Sequence, residues 1–306
     1  MDVGVIGTGA MGRNHARVYS EIKKIQDLYI YDTDVKASEE VAGICGASVS
    51  ESLRDLLNNV DAVSICVPTQ YHYETALNVA KAGINMLIEK PICPTSKEGE
   101  ILLENIPEDL VVGIGHIERF NPIVKEIERI IDSPLYVEMK RHNPSSIRVN
   151  GSSVVEDLMI HDIDILLNNS HFKGGYNLYC SGNSDVCSAL FEFKDFPVYL
   201  STSRKSSKKM RVIYIEEEDF TIEGDFMAQE VYVHKKPETY IHDNDRYVQE
   251  NIIEKVMVGK VEPLKLELNT FINCVVSGKK FPVRPEQAVE NVRICEMIKN
   301  KCGLNV

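Results

Sequence analysis

The sequence predicts an α/β protein, with a doubly wound parallel sheet first and then an α+β domain built on a mainly antiparallel open sheet. Three observations lead there. Short strand-like runs alternate with helix-period runs through the first third of the chain, the grammar of βαβ units. A glycine-rich turn joins the first strand to the first helix. After about Arg119 the alternation gives way to successive strand-like runs with little helix between them.

In chain order, strands are expected over Asp2–Gly7, Leu28–Tyr31, Ala62–Val67, Ile84–Glu89 and Leu110–Ile114, each short and rich in Val, Ile, Leu or Tyr. Between them Met11–Ile25, Asp34–Ile44, Glu51–Leu57, Tyr71–Ala82 and Ser96–Ile106 carry helical periodicity. A helix over Pro122–Ile131 and a second one near residue 160 precede the strand-like runs Asn177–Ser181, Cys187–Phe193, Val198–Ser203, Val212–Glu216, Phe220–Glu223 and Glu230–His234. Period-two alternation is clearest in Cys187–Phe193 and Val212–Glu216, as in a sheet with one buried face. Helices Leu264–Val276 and Pro285–Asn300 close the chain, and Pro285 suits a first helical turn. The length of 306 residues suits two domains, read here as 1–117 and 118–306.

Composition excludes several classes. Hydrophobic content of 43%, charged content of 26% and a net charge of −12 describe an acidic globular protein, not a nucleic-acid or anionic-membrane binder. The one basic run, Arg204–Arg211, reads as a solvated loop or edge. Eight cysteines without a C-x-x-C pair, several inside apolar runs, read as reduced buried thiols and not as disulfides or a zinc site. No apolar run approaches the roughly 18 residues of a membrane helix, and the chain opens directly into a strand, so a cytoplasmic location is expected.

Gly7-Thr8-Gly9-Ala10-Met11-Gly12 fits the dinucleotide fingerprint G-x-G-x-x-G of a Rossmann fold, directly after a strand and opening a helix. Gly7 makes the tight turn, Gly9 lets a pyrophosphate approach the backbone, and Gly12 permits close helix packing, while the helix N-terminus offers unpaired N–H groups. Asp32 ends the next strand about 20 residues past the last glycine, where an acid bonds the adenosine ribose and repels a 2′-phosphate. NAD is therefore expected in preference to NADP. Gly7, Gly9, Ala10, Met11, Gly12, Asp32 and Glu89 form the expected cofactor set, with no metal.

Two further segments carry chemistry. In Val154–Leu166, Asp157, His161 and Asp164 fall on one stripe of a helix at about 100° per residue, and the rest of the circumference is apolar apart from Asp162. Ser153 and Glu156 read as a capping box at its start. A buried stripe of two carboxylates and an imidazole is costly unless the groups meet each other or a ligand. The bland alternative is a helix-terminal aspartate and a satisfied core histidine. The apolar run Gly83–Ile88 ends in Glu89-Lys90-Pro91, which places Lys90 at a strand carboxyl end, where open α/β sheets hold ligands. Its bland alternative is a surface lysine paired with Glu89.

Gly7–His15, Glu89-Lys90-Pro91 and Asp157-x-x-x-His161, in this order and spacing, resemble the Gfo/Idh/MocA oxidoreductases over essentially the whole chain. The resemblance implies that Lys90, Asp157 and His161 are catalytic around a sugar carbon that loses hydride, that Asp164 binds substrate or orients the histidine, and that the chain forms a homodimer or homotetramer. His116–Pro122 with Asp157–Asp164 looks like the branch that oxidises the 3-hydroxyl of UDP-N-acetylglucosamine. Arg119 and Asn121 are then candidates for the pyrophosphate and for the sugar or uracil, with Arg148 and the Arg204–Arg211 run behind them. For Arg119 the alternative is a salt bridge to Glu118 or a domain-boundary contact. The rival functions are an inositol or simple-sugar dehydrogenase of the same family, and a non-catalytic dinucleotide-binding regulator.

Overall fold

The computed structural model describes residues 1–144, 152–236, 240–243, 246–249 and 251–304. Its two compact units are Met1–Phe120 with Glu262–Arg293, and Asn121–Val261 with Ile294–Val306. The break after Phe120 lies close to the expected one. The simple division at 117 is corrected, because Glu262–Arg293 returns to the first unit.

The first unit starts with β1 (Val3–Ile6), α1 (Ala10–Ser20), β2 (Leu28–Tyr31), α2 (Val35–Cys45), β3 (Ser48–Val49), α3 (Leu53–Asn58), β4 (Ala62–Ile65), α4 (His72–Lys81), β5 (Asn85–Glu89), α5 (Ser96–Asn105) and β6 (Val112–Gly115). The strands pair in parallel in the order β3-β2-β1-β4-β5-β6. Strand order reverses between β1 and β4, and ligands of such sheets bind outside the carboxyl ends at that reversal. Both faces are covered, so β1 and β4 are buried at every position, as the continuous Val/Ile runs require.

The second unit carries α6 (Pro122–Ile130), β7 (Tyr136–His142), α7 (Ile160–Asn168), β8 (Tyr176–Gly182), β9 (Val186–Phe193), β10 (Pro197–Ser203), β11 (Met210–Glu216), β12 (Phe220–Asp225), β13 (Glu230–Lys235), β14 (Tyr240–Asp243), β15 (Arg246–Gln249) and β16 (Ile252–Lys255). Eight of these strands form one sheet in the order β16-β13-β12-β11-β7-β10-β9-β8, antiparallel except for the parallel pair β7 and β10. Ile160, Ile163 and Leu166 of α7 and Ile123 and Ile127 of α6 pack in one core with Val137, Met139, Phe191, Leu200, Ile213 and Ile215 of the sheet.

The chain ends with α8 (Pro263–Ser277) and α9 (Pro285–Lys301). Leu268, Phe271 and Ile272 of α8 and Phe281 after it belong to the first core. Two glycines explain why they fit there. A Cβ at Gly113 on β6 would lie 2.4 Å from the Phe281 ring, and one at Gly99 on α5 would lie 2.7 Å from Val289 of α9. Val283 O also accepts from Ile114 N at 3.2 Å.

Central β7 is a strand for which no expectation had been formed. Val137, Met139 and Arg141 are its buried positions. Arg141 breaks the visible apolar alternation because a cation fills a core site. It is 1% exposed, and its Nε and Nη2 donate to Asp162 Oδ1 at 3.0 and 2.7 Å, with its guanidinium 5.4 Å from the Phe226 ring centre. Asp162, the one polar residue of 158–167 outside the Asp157/His161/Asp164 stripe, is thus the anchor of α7 on the sheet. Removing one partner of such a pair strands a buried charge and costs about 3–5 kcal/mol, whereas replacing both by apolar residues is close to neutral. Asp162→Ala should therefore lower the stability of the fold by about 3–5 kcal/mol, and Arg141→Met with Asp162→Leu should restore most of it. Urea unfolding followed by circular dichroism tests this in a chain that has no tryptophan. An Asp162→Ala midpoint equal to wild type would refute it.

Candidate active site

In the first unit the glycine loop has the geometry its sequence called for. Gly7 takes φ +96°, and its N–H donates to Tyr31 O at 2.8 Å. A Cβ at Gly12 would lie 1.9 Å from Gly7 O, so α1 approaches its own entry loop too closely for any other residue. Gly9 is different. No atom lies within 4 Å of the place its Cβ would take, it caps α1 without a side chain, and Gly9 and Ala10 are exposed while Met11 is half-buried. That open space and the uncapped N–H groups fit a dinucleotide pyrophosphate.

Asp32 closes the edge of the loop. Its Oδ2 accepts from Thr8 N at 2.6 Å and Thr8 Oγ1 at 2.7 Å, and its Oδ1 from Asp34 N at 2.9 Å. Burial pushes its carboxyl up, but these hydrogen bonds outweigh that and hold it below its ordinary value, so a fixed negative charge stands beside the loop. Arg13, the cation inside the fingerprint, is bound by both guanidinium ends to Glu40 at 2.8 and 2.9 Å.

Glu89, expected among the cofactor contacts, faces inward. It is 7% exposed, and its Oε1 lies 2.8 Å from His15 Nε2. His15 Nδ1 lies 2.9 Å from Ser64 Oγ, which is 2.6 Å from the Tyr19 hydroxyl. Burial raises the Glu89 carboxyl, while the His15 bond and the neighbouring Lys90 charge overcome this and lower it. Glu89 is thus one end of a buried chain of side chains. Lys90 is half-buried at the end of β5, and its peptide bond to Pro91 is cis. Beyond it, His72 at the start of α4 has its ring nitrogens 2.7 Å from Pro91 O and 2.8 Å from Val67 O.

In the second unit the acid–histidine segment is not one regular α-helix. Val155–Met159 forms a π turn that leads into α7. Asp157 lies in the π turn, and His161 and Asp164 lie in the regular helix after it. Asp157 and His161 are half-buried, whereas Asp164 is 1% exposed and its Oδ1 accepts from Asn168 Nδ2 at 3.1 Å. Asp164, expected to bind substrate or orient the histidine, makes this bond within α7. Glu156 Oε2 accepts from Ser153 N at 3.3 Å, the Glu half of the expected box. π turns of this kind occur often at functional sites.

Arg204 overturns its reading as part of a solvated run. Its side chain is 4% exposed, with Nη2 donating to Ser152 O at 3.1 Å and standing 3.8 Å from Asp157 Oδ2. Asn121, expected as a contact to the sugar or uracil, is also buried. It is 3% exposed, donates to Phe226 O at 2.9 Å and caps α6, so its amide serves the fold. Arg119, half-buried in the turn Ile117–Phe120 after β6, donates to Gln287 Oε1 at 3.2 Å. Arg148 lies outside the described residues. His116 is 1% exposed, with Nε2 3.3 Å from Asn291 Nδ2, and among the described residues no group of three or more His, Cys, Asp or Glu could hold a metal ion. All eight cysteines are free thiols, and among the described residues no helix is long and apolar enough to cross a membrane.

His15, Ser64, His72, Arg141 and Arg204 carry roles to which no sequence signal pointed directly, although His15 closes the quoted motif Gly7–His15.

Comparison with known proteins agrees with this geometry. Residues 1–116 match the Gfo/Idh/MocA family, described as an oxidoreductase family with an NAD-binding Rossmann fold. Over 169 residues the chain is 37% identical to UDP-N-acetylglucosamine 3-dehydrogenase of Acidithiobacillus ferrooxidans, covering 55% of this chain and 53% of that protein. It is 27% identical over 176 residues to inositol 2-dehydrogenase of Corynebacterium glutamicum strain R, covering 54% and 52%. In both alignments the chain spans about half the length of the relative. The solved structure of UDP-N-acetylglucosamine 3-dehydrogenase GnnA from Acidithiobacillus ferrooxidans matches with a TM-score of 0.87 at 25% identity, over 99% of this chain and 98% of that one. The family match is thus carried by residues 1–116, the segment that holds the glycine loop, Asp32 and Lys90.

Proposed function

We propose that this chain is an NAD-dependent dehydrogenase of a sugar hydroxyl, and that its substrate is UDP-N-acetylglucosamine, oxidised at the 3-hydroxyl. The observation that carries the reading is the likeness, over nearly its whole length, to UDP-N-acetylglucosamine 3-dehydrogenase GnnA. Bound nicotinamide supplies the two-electron acceptor. The chain's own residues would hold it through the Gly7–Gly12 loop and Asp32. His161 takes the hydroxyl proton, since an imidazole titrates near neutral pH. Asp157 sets the histidine, and Lys90 donates to the oxygen as negative charge develops on it. Arg119 is the proposed partner of the substrate's pyrophosphate.

Cofactor choice follows from Asp32. Its fixed charge repels a 2′-phosphate, so NADH should bind more tightly than NADPH, and Asp32→Ser should narrow the gap. Nicotinamide fluorescence titrations give both constants, and equal or tighter NADPH binding by the wild type would refute the assignment.

For the reaction, NADH formation is followed with UDP-N-acetylglucosamine, UDP-glucose, glucose and myo-inositol. UDP-N-acetylglucosamine should give the highest kcat/KM, and Arg119→Ala should raise its KM. Lys90→Ala and His161→Ala should each lower kcat by about 10²-fold or more, the loss expected for an acid–base group. Preference for myo-inositol would instead favour an activity like that of the inositol 2-dehydrogenase relative. No turnover with any sugar would favour the regulator.

We further propose a homodimer or homotetramer formed through the second face of the eight-stranded sheet. There Tyr136, Tyr199, Val212, Tyr214 and Tyr232 are half-buried on strands whose alternate residues fill the core. A mass of 34.5 kDa by light scattering at micromolar concentration would rule this out.

A further inference from the structure

We propose that His15 and His72 are positioning residues for Lys90, bracing the chain on either side of it. The proposal rests on the reading of Lys90 as the group that meets the substrate oxygen.

The preceding residue is held by a buried chain of four side chains. Glu89 Oε1 meets His15 Nε2 at 2.8 Å, and Glu89 Oε2 accepts from Lys90 N at 3.2 Å. One direction of donation satisfies every group with a neutral imidazole: Tyr19 to Ser64, Ser64 to His15 Nδ1, and His15 Nε2–H to Glu89. Aligned bonds of this kind polarise one another in a low dielectric and fix a geometry. The following residue is held by His72, through Pro91 O at 2.7 Å. His15 and His72 are no more than 1% exposed. Gly115 on β6 leaves room for the carboxylate, because a Cβ there would lie 3.0 Å from Glu89 Cδ.

Ser64, His15 and Glu89 have the composition of a nucleophilic triad, but Ser64 is 0% exposed and its hydroxyl also meets Tyr19. No substrate reaches it. What the chain does control is the end of β5, from which Lys90 departs. His15 stands on α1, Ser64 on β4 and His72 on α4, so three elements converge on one turn. A leucine at position 15 would fill the same space more cheaply than a buried imidazole, and it would leave Glu89 without its donor.

The experiment compares variants of the full chain with wild type. His15→Leu with Glu89→Leu removes both partners together and leaves no buried charge. His15→Gln keeps an amide donor near the Nε2 position, and His72→Phe removes the second brace. With UDP-N-acetylglucosamine, the Leu/Leu form and His72→Phe should lose about 10- to 100-fold in kcat, the cost of a small misplacement, with KM for NAD within about twofold. His15→Gln should recover most of the rate. In a Lys90→Ala background the Leu/Leu change should cause no further loss. A second readout needs no substrate. The 13C-dimethyl resonance of reductively methylated Lys90, assigned by its loss in Lys90→Ala, should shift or broaden in the Leu/Leu form and in His72→Phe. An unchanged resonance with wild-type kcat overturns the brace, even where Lys90→Ala is inactive. Wild-type turnover by Lys90→Ala instead removes the catalytic reading of Lys90, and the resonance then decides the brace alone.

Discussion

Charge carried into the interior must meet a partner from another element, and this constraint organises both units. A carboxylate taken out of water costs several kcal/mol unless a donor stands ready. In the first unit Glu89 meets His15 and thereby ties β5 to α1. In the second, Asp162 meets Arg141 and ties α7 to the middle of the sheet. Each pair lies beside residues to which chemistry is assigned: Lys90 follows Glu89, and His161 precedes Asp162 in the chain. The apolar cores would accept several placements of these elements. The pairs accept one.

Much of the first unit was legible in the sequence because its signals are local. The glycine fingerprint, the strand ahead of it and Asp32 each depend on a few neighbouring residues, and a close approach such as Gly12 against Gly7 O leaves no alternative residue. The return of α8 and α9 was not legible, since it depends on glycines at 99 and 113 meeting side chains far along the chain. Strand β7 was hidden for a different reason. Its alternation is intact, yet one of its core positions is an arginine, and a polarity pattern counts that as exposed.

The candidate site divides along the same line. Residue identities on the acid–histidine segment single it out, but an angle of about 100° per residue assumes a regular α-helix. The π turn over Val155–Met159 breaks that assumption between Asp157 and His161, while Asp164, three residues past His161 on regular α7, is buried. Asn121 was a candidate by its place in a loop, and local sequence did not reveal that its side chain caps α6. Arg204 is a third case, since neighbours of like charge made a buried guanidinium look solvated.

The shared use of α9 bears on how the protein is made. Ala288, Val289 and Val292 lie in the first core, while Ile294, Cys295 and Ile298 lie in the second. A ribosome releases the nucleotide-type sheet long before the helices that seal it, so the surfaces awaiting Phe271 and Phe281 stay open through the synthesis of the whole second sheet. Domains that finish early can fold during translation, but this one must wait. The nascent first unit therefore exposes that apolar surface until α8 and α9 emerge. A stop codon anywhere before residue 293 would leave neither core complete.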